Sequence, residues 1–93
     1  MKLTDRANIP PQVMARQVGE ETVILNLESG VYFGLDPVGA RIWQLMTDGK
    51  TFAGICDAMQ EEFEVDHSVL EQDVLRLARE LLDQGLIIPV ENV

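Results

Sequence analysis

The chain has 93 residues, with 7 Lys plus Arg against 16 Asp plus Glu and a formal charge of −9. Its length allows one small domain, expected over residues 1–93 with an ordered core from about residue 13 to residue 88. At 46% hydrophobic and 25% charged it is neither a disordered acidic tail nor a fibre. The acidic balance disfavours a nucleic-acid partner, because affinity for phosphate comes from clustered Lys and Arg.

The first third alternates with period two and the rest repeats near 3.6, so strands precede helices and the expected class is α+β. After Pro10-Pro11, Val13 to Val18 reads as a first strand, and Gly19-Glu20 as a tight turn. Thr22 to Leu27 reads as a second strand, half-buried through Val23, Leu25 and Leu27. Glu28-Ser29-Gly30 suits a three-residue hairpin loop with a left-handed residue at its end. Val31 to Leu35 is the third strand, with Val31, Phe33 and Leu35 on one side, and a three-stranded antiparallel meander results.

Asp36-Pro37 is an N-cap followed by proline at the first helical position, where the missing N–H costs nothing. Val38, Ile42, Leu45 and Met46 share the buried face of this first helix, Trp43 flanks it, and Asp48-Gly49 stops it. A second helix starts near Thr51, and Phe52, Ile55, Cys56, Met59 and Phe63 form its apolar stripe. The third helix is capped by Asp66 or by Ser68, the latter with Glu71 in a capping box, and it ends at Gly85. Leu70, Val74, Leu77, Ala78, Leu81 and Leu82 line its apolar side, and Leu75 widens that stripe. Three helices behind a small antiparallel sheet are winged helix-turn-helix-like, which makes a transcriptional regulator the rival reading. Against it, the third helix carries Glu71, Asp73, Glu80 and Asp83 to only Arg76 and Arg79, the wrong balance for a groove of DNA.

Catalytic chemistry finds little to work with. The lone cysteine, Cys56, excludes a disulfide scaffold and sits on an apolar stripe, where cysteine acts as a small hydrophobe. His67, the one histidine, lies among polar residues at a helix start and reads as solvated. One Cys and one His do not make a zinc site, and Glu61, Glu62 and Glu64 read as a solvated face. No phosphate-cradling glycine loop is present, so no enzyme, metal or cofactor is expected. No apolar run approaches the roughly 20 residues that span a bilayer. The first six residues lack the apolar region of a secretory signal, so a cytoplasmic chain with no membrane partner is expected.

The third strand is the informative element. Edge strands of soluble proteins are normally protected by Lys, Pro, bulges or a covering element. The first strand has Pro10-Pro11 before it and Arg16 within it, whereas Val31 to Leu35 contains neither charge nor proline. Its outer hydrogen-bonding row is either covered by the third helix or left to pair with a peptide that adds as a further strand. A homodimer buried through that strand is a third possibility.

The run from Leu27 through Val31-Tyr32-Phe33-Gly34-Leu35-Asp36-Pro37-Val38-Gly39-Ala40-Arg41-Ile42 to Trp43 opens a set of motifs. Asp48-Gly49-Lys50-Thr51, Asp73-Val74 and Leu81-Leu82-Asp83-Gln84-Gly85-Leu86 complete it. Together, over about residues 13 to 88, they resemble the PqqD-like peptide recognition elements of ribosomally made, post-translationally modified peptide pathways. The Tyr-Phe-Gly-Leu-Asp-x-x-Gly-Ala-x-Ile-Trp segment is most similar to the stand-alone leader-binding proteins of lasso-peptide clusters. The pyrroloquinoline quinone pathway, or another radical-SAM pathway, is the second reading, since the Pro-Glu pair ahead of the third strand is lacking. The resemblance implies a non-catalytic adaptor that binds a precursor's leader peptide beside the third strand. It would present that leader to a cysteine-protease-like leader peptidase and an asparagine-synthetase-like cyclase. By position, it assigns peptide binding to Val31, Tyr32, Phe33, Gly34 and Leu35 on the strand, and to Leu70, Asp73, Val74, Leu77, Glu80 and Leu81 on the helix.

Overall fold

The computed structural model describes residues 1–91. Along the chain these form β1 (Arg6–Asn8), β2 (Val13–Val18), β3 (Glu21–Asn26), β4 (Tyr32–Leu35), α1 (Pro37–Thr47), α2 (Phe52–Glu62), α3 (His67–Asp83) and β5 (Ile88–Val90). The expected meander is present as an antiparallel sheet in the order β2-β3-β4, followed by three helices, an α+β fold. A second sheet, absent from the sequence reading, pairs β1 with β5 antiparallel and joins the two ends of the chain.

Each helix starts where a side chain satisfies its first free N–H groups. The Asp36 carboxylate accepts from Gly39 N at 2.7 Å, and the Thr51 hydroxyl accepts from Gly54 N at 3.1 Å. Asp66 is the cap of α3, accepting from Ser68 N at 2.9 Å and from the Ser68 hydroxyl at 2.7 Å. The N-terminal segment also braces α2, because Phe52 N donates to Asp5 O at 2.9 Å and Ala53 N to Leu3 O at 2.8 Å. Arg41 forks onto Glu62, with Nε and Nη2 each 2.8 Å from a carboxylate oxygen, and so ties α1 to α2.

The core lies between the inner face of the meander and the helices. Phe52, Ile55, Cys56 and Met59 of α2 are fully buried there against Val74, Ala78 and Leu81 of α3. Three apolar expectations are corrected. Val38 is 44% exposed on α1, whose buried face is Gly39, Ile42, Trp43, Leu45 and Met46. Phe63 is the C-cap of α2 in extended backbone, one residue past the helix, so the stripe does not carry it inward.

The third correction concerns β3. Its buried residues are Ile24 and Asn26; Val23 and Leu25 are half-buried on the opposite face, and Leu27 lies beyond the strand, 62% exposed. A polar residue wins the inner position because its groups are used. Asn26 Oδ1 accepts from Glu28 N at 2.9 Å and Ser29 N at 3.1 Å, and its amide donates to Gly85 O at 3.3 Å. The hairpin loop is therefore longer than three residues, running from Leu27 to Val31 between the strands, with Gly30 in the left-handed region at φ 77°.

Candidate functional site

β4 is an edge of the meander: it pairs with β3 through Thr22 with Leu35, Val23 with Gly34, Ile24 with Phe33 and Leu25 with Tyr32. Just before that register, Asn26 N donates to Val31 O at 2.8 Å. Antiparallel pairs alternate between those that exchange hydrogen bonds and those that do not. Phe33 and Leu35 therefore bond to β3, while the N–H and C=O groups of Tyr32 and Gly34 point to the open edge. Among the described residues, no backbone hydrogen bond runs from these two residues to another element.

Beside this edge lies a groove of about 570 Å³ lined by Phe33, Gly34, Leu35, Asp36, Val38, Gly39, Ile42, Asp73, Arg76, Leu77 and Glu80. Its floor is the end of β4, one wall is α3 and its end is the first turn of α1. The Asp36-Pro37 cap starts α1 immediately after the strand, which places Val38, Gly39 and Ile42 there. Gly39 is a close approach, since a Cβ at that position would stand 3.2 Å from Leu35 Cδ2 and 3.3 Å from Asp36 Oδ1.

The groove is apolar below and acidic at its rim. Three carboxylates, Asp36, Asp73 and Glu80, face one guanidinium, Arg76, whose Nη2 lies 3.3 Å from Asp73 Oδ1 in an exposed pair. Asp36 is engaged as the helix cap and Asp73 in that exposed pair, and Glu80 is the third carboxylate of the rim.

The expected site residues separate into three sets. Phe33, Gly34, Leu35, Asp73, Leu77 and Glu80 come together around the groove. Tyr32, 73% exposed, and the half-buried Val31 lie outside it, with Tyr32 on the opposite face of the sheet. Leu70, Val74 and Leu81 are buried at 3%, 0% and 0% within the core, on the helix that packs against α2. Asp36, Val38, Gly39, Ile42 and Arg76 line the groove without having been expected to, and the Asp36-Pro37 helix start was the one signal that brought α1 this close.

The remaining chemical candidates are settled by their surroundings. Burial, with Glu71 and Asp57 nearby, pushes the Cys56 thiol up and away from thiolate chemistry. His67 is not simply solvated: Nδ1 lies 2.7 Å from Gln60 Oε1 and Nε2 3.1 Å from Glu71 Oε1, so it links α2 to α3. Among the described residues, no three His, Cys, Asp or Glu side chains gather to hold a metal ion, and no helix is long and apolar enough to cross a membrane.

Fold and site together define a small α+β domain that offers an unpaired strand edge above an acidic-rimmed apolar groove. The chain belongs to the family of coenzyme PQQ synthesis protein D (PqqD), which matches residues 21–87. Two solved structures share the fold. One, TbiB1 in complex with the TbiA(beta) leader peptide, is 39% identical with a TM-score of 0.79, over 85% of this chain and 92% of that one. The other, lasso peptide synthetase B1 complexed with the leader peptide, is 27% identical with a TM-score of 0.83, over 90% of this chain and 99% of that one. No curated protein matches the chain.

Proposed function

We propose that this protein binds the leader of a lasso precursor peptide as a fourth strand on β4. It acts as a non-enzymatic adaptor that presents the leader to a cysteine-protease-like leader peptidase and an asparagine-synthetase-like cyclase, in the cytoplasm where a ribosomal precursor is made. The observation that carries this reading is the outward-facing backbone of Tyr32 and Gly34 beside the groove. Similarity to two proteins solved with leader peptides supports it.

Magnitudes require both the strand and the groove. Two residues with one donor and one acceptor each offer four hydrogen bonds, about 4 kcal/mol in all at about 1 kcal/mol net apiece. Association costs roughly 4 to 15 kcal/mol, so backbone pairing alone does not hold a peptide. Residues directly opposite each other share a sheet face, so the leader residues opposite Phe33 and Leu35 point toward α3. Burying two apolar anchors there adds about 1.5 to 3 kcal/mol each. Main-chain pairing is blind to sequence, whereas these pockets and the carboxylates of Asp73 and Glu80 select the partner. The charge of −9 also draws in cationic leaders, faster at low salt.

A backbone N-methyl scan of the TbiA(beta) leader peptide tests strand addition. Only alternate leader N–H groups face β4, so affinity is expected to drop at every second residue of the bound segment. Uniform tolerance, or loss without a period of two, would contradict the proposal.

A further inference from the structure

Gly34 has no internal reason to be glycine. Its φ lies outside the left-handed region, and an added Cβ would meet nothing within 4 Å. Glycine weakens a strand, and within one it often marks a place where another chain approaches.

The surroundings specify what approaches. On the outer face of the sheet, away from the core, pairing sets up two rungs across the strands: Met14, Leu25 and Tyr32 in one, Arg16, Val23 and Gly34 in the next. The first rung ends in a large exposed ring. The second ends in a bare notch at Gly34, backed by half-buried Val23. Because the Gly34 N–H and C=O face the open edge, an added strand places one residue directly opposite it, with its side chain on this same outer face. An aromatic side chain opposite an edge glycine covers the bare backbone, and Tyr32 is a diagonal neighbour within its reach.

We propose that Gly34 is the seat of a further specificity subsite, which takes a bulky aromatic side chain from the leader. That residue lies between the two groove-directed anchors and folds over Gly34 against Val23 and Tyr32. The subsite deepens the leader-binding reading and rests on it. The leader is then read on both faces, by the groove through alternate residues and by the outer face through the residue between them.

Calorimetric titration of the full chain tests this with two versions of the TbiA(beta) leader peptide, carrying Trp or Ala at the position between the anchors. The Trp peptide is expected to bind at least tenfold tighter than the Ala peptide. In the Gly34→Val protein, whose side chain fills the notch in open space, the ratio is expected to fall below threefold with the thermal midpoint held or raised. Equal affinity of the two peptides for the natural protein, with the Tyr32 and Gly34 amides protected, overturns the subsite and leaves strand addition standing. An undiminished ratio in the Gly34→Val protein also overturns it. Absence of both binding and protection sinks the subsite and the leader reading together.

Discussion

Asn26 and Gly85 lie 59 positions apart, yet the Asn26 amide donates to the Gly85 carbonyl at 3.3 Å and fastens the β3–β4 hairpin to the end of α3. The same side chain accepts the Glu28 and Ser29 N–H groups, so one buried residue fixes both the turn and its distance from the helix that walls the groove. Asn26→Ala is expected to destabilise the fold by about 1–3 kcal/mol, the usual cost of removing one member of a buried hydrogen-bonded set. An unchanged urea midpoint would show that the turn holds without it.

Asp73 provides a test of the rim. Its ion pair with Arg76 is exposed, and exposed pairs contribute about 0.2–1 kcal/mol. Asp73→Lys should therefore barely move the thermal midpoint. Binding of a leader with a basic residue at this rim should weaken roughly two- to thirtyfold, as an attraction of that size becomes a repulsion. Full affinity in a titration would remove Asp73 from the site.

Acid should reveal one clamp between helices, Glu62 with Arg41, and one helix cap, Asp66. Hydrogen bonding to Arg41 holds Glu62 below its ordinary 4.5, and hydrogen bonding to the Ser68 hydroxyl and N–H holds Asp66 below its ordinary 3.8. A depressed carboxylate contributes stability that is complete above its unfolded value and is lost as pH falls through the folded one. The urea midpoint is thus expected to hold from about pH 7 to 5 and to drop below about 4.5. Combining Glu62→Gln with Asp66→Asn should shrink that drop. An equal drop in the double variant would assign the acid sensitivity to other carboxylates.

Much of this fold was legible in the sequence because its signals are local. Asp36-Pro37, Thr51 and Asp66 mark helix starts by chemistry that needs no tertiary contact, and period-two alternation marks the meander. β1 and β5 were not legible, since three-residue strands carry no period and Pro89 sits inside one of them. The face of β3 was misread because both alternating sets contain apolar residues, and only the remote partner Gly85 shows why Asn26 goes inward. In the site, the uncharged strand pointed to the edge. The α3 stripe did not separate groove from core, because Leu77 and the buried Val74 and Leu81 share one broad apolar arc.

Amide hydrogen exchange, read residue by residue while a leader peptide is titrated in, addresses strand addition most directly. Phe33 and Leu35, bonded to β3 in the free protein, should exchange slowly throughout, whereas Tyr32 and Gly34 should pass from fast to slow as the leader saturates. Tyr32 and Gly34 amides that stay fast under saturating leader would mean that the peptide binds elsewhere.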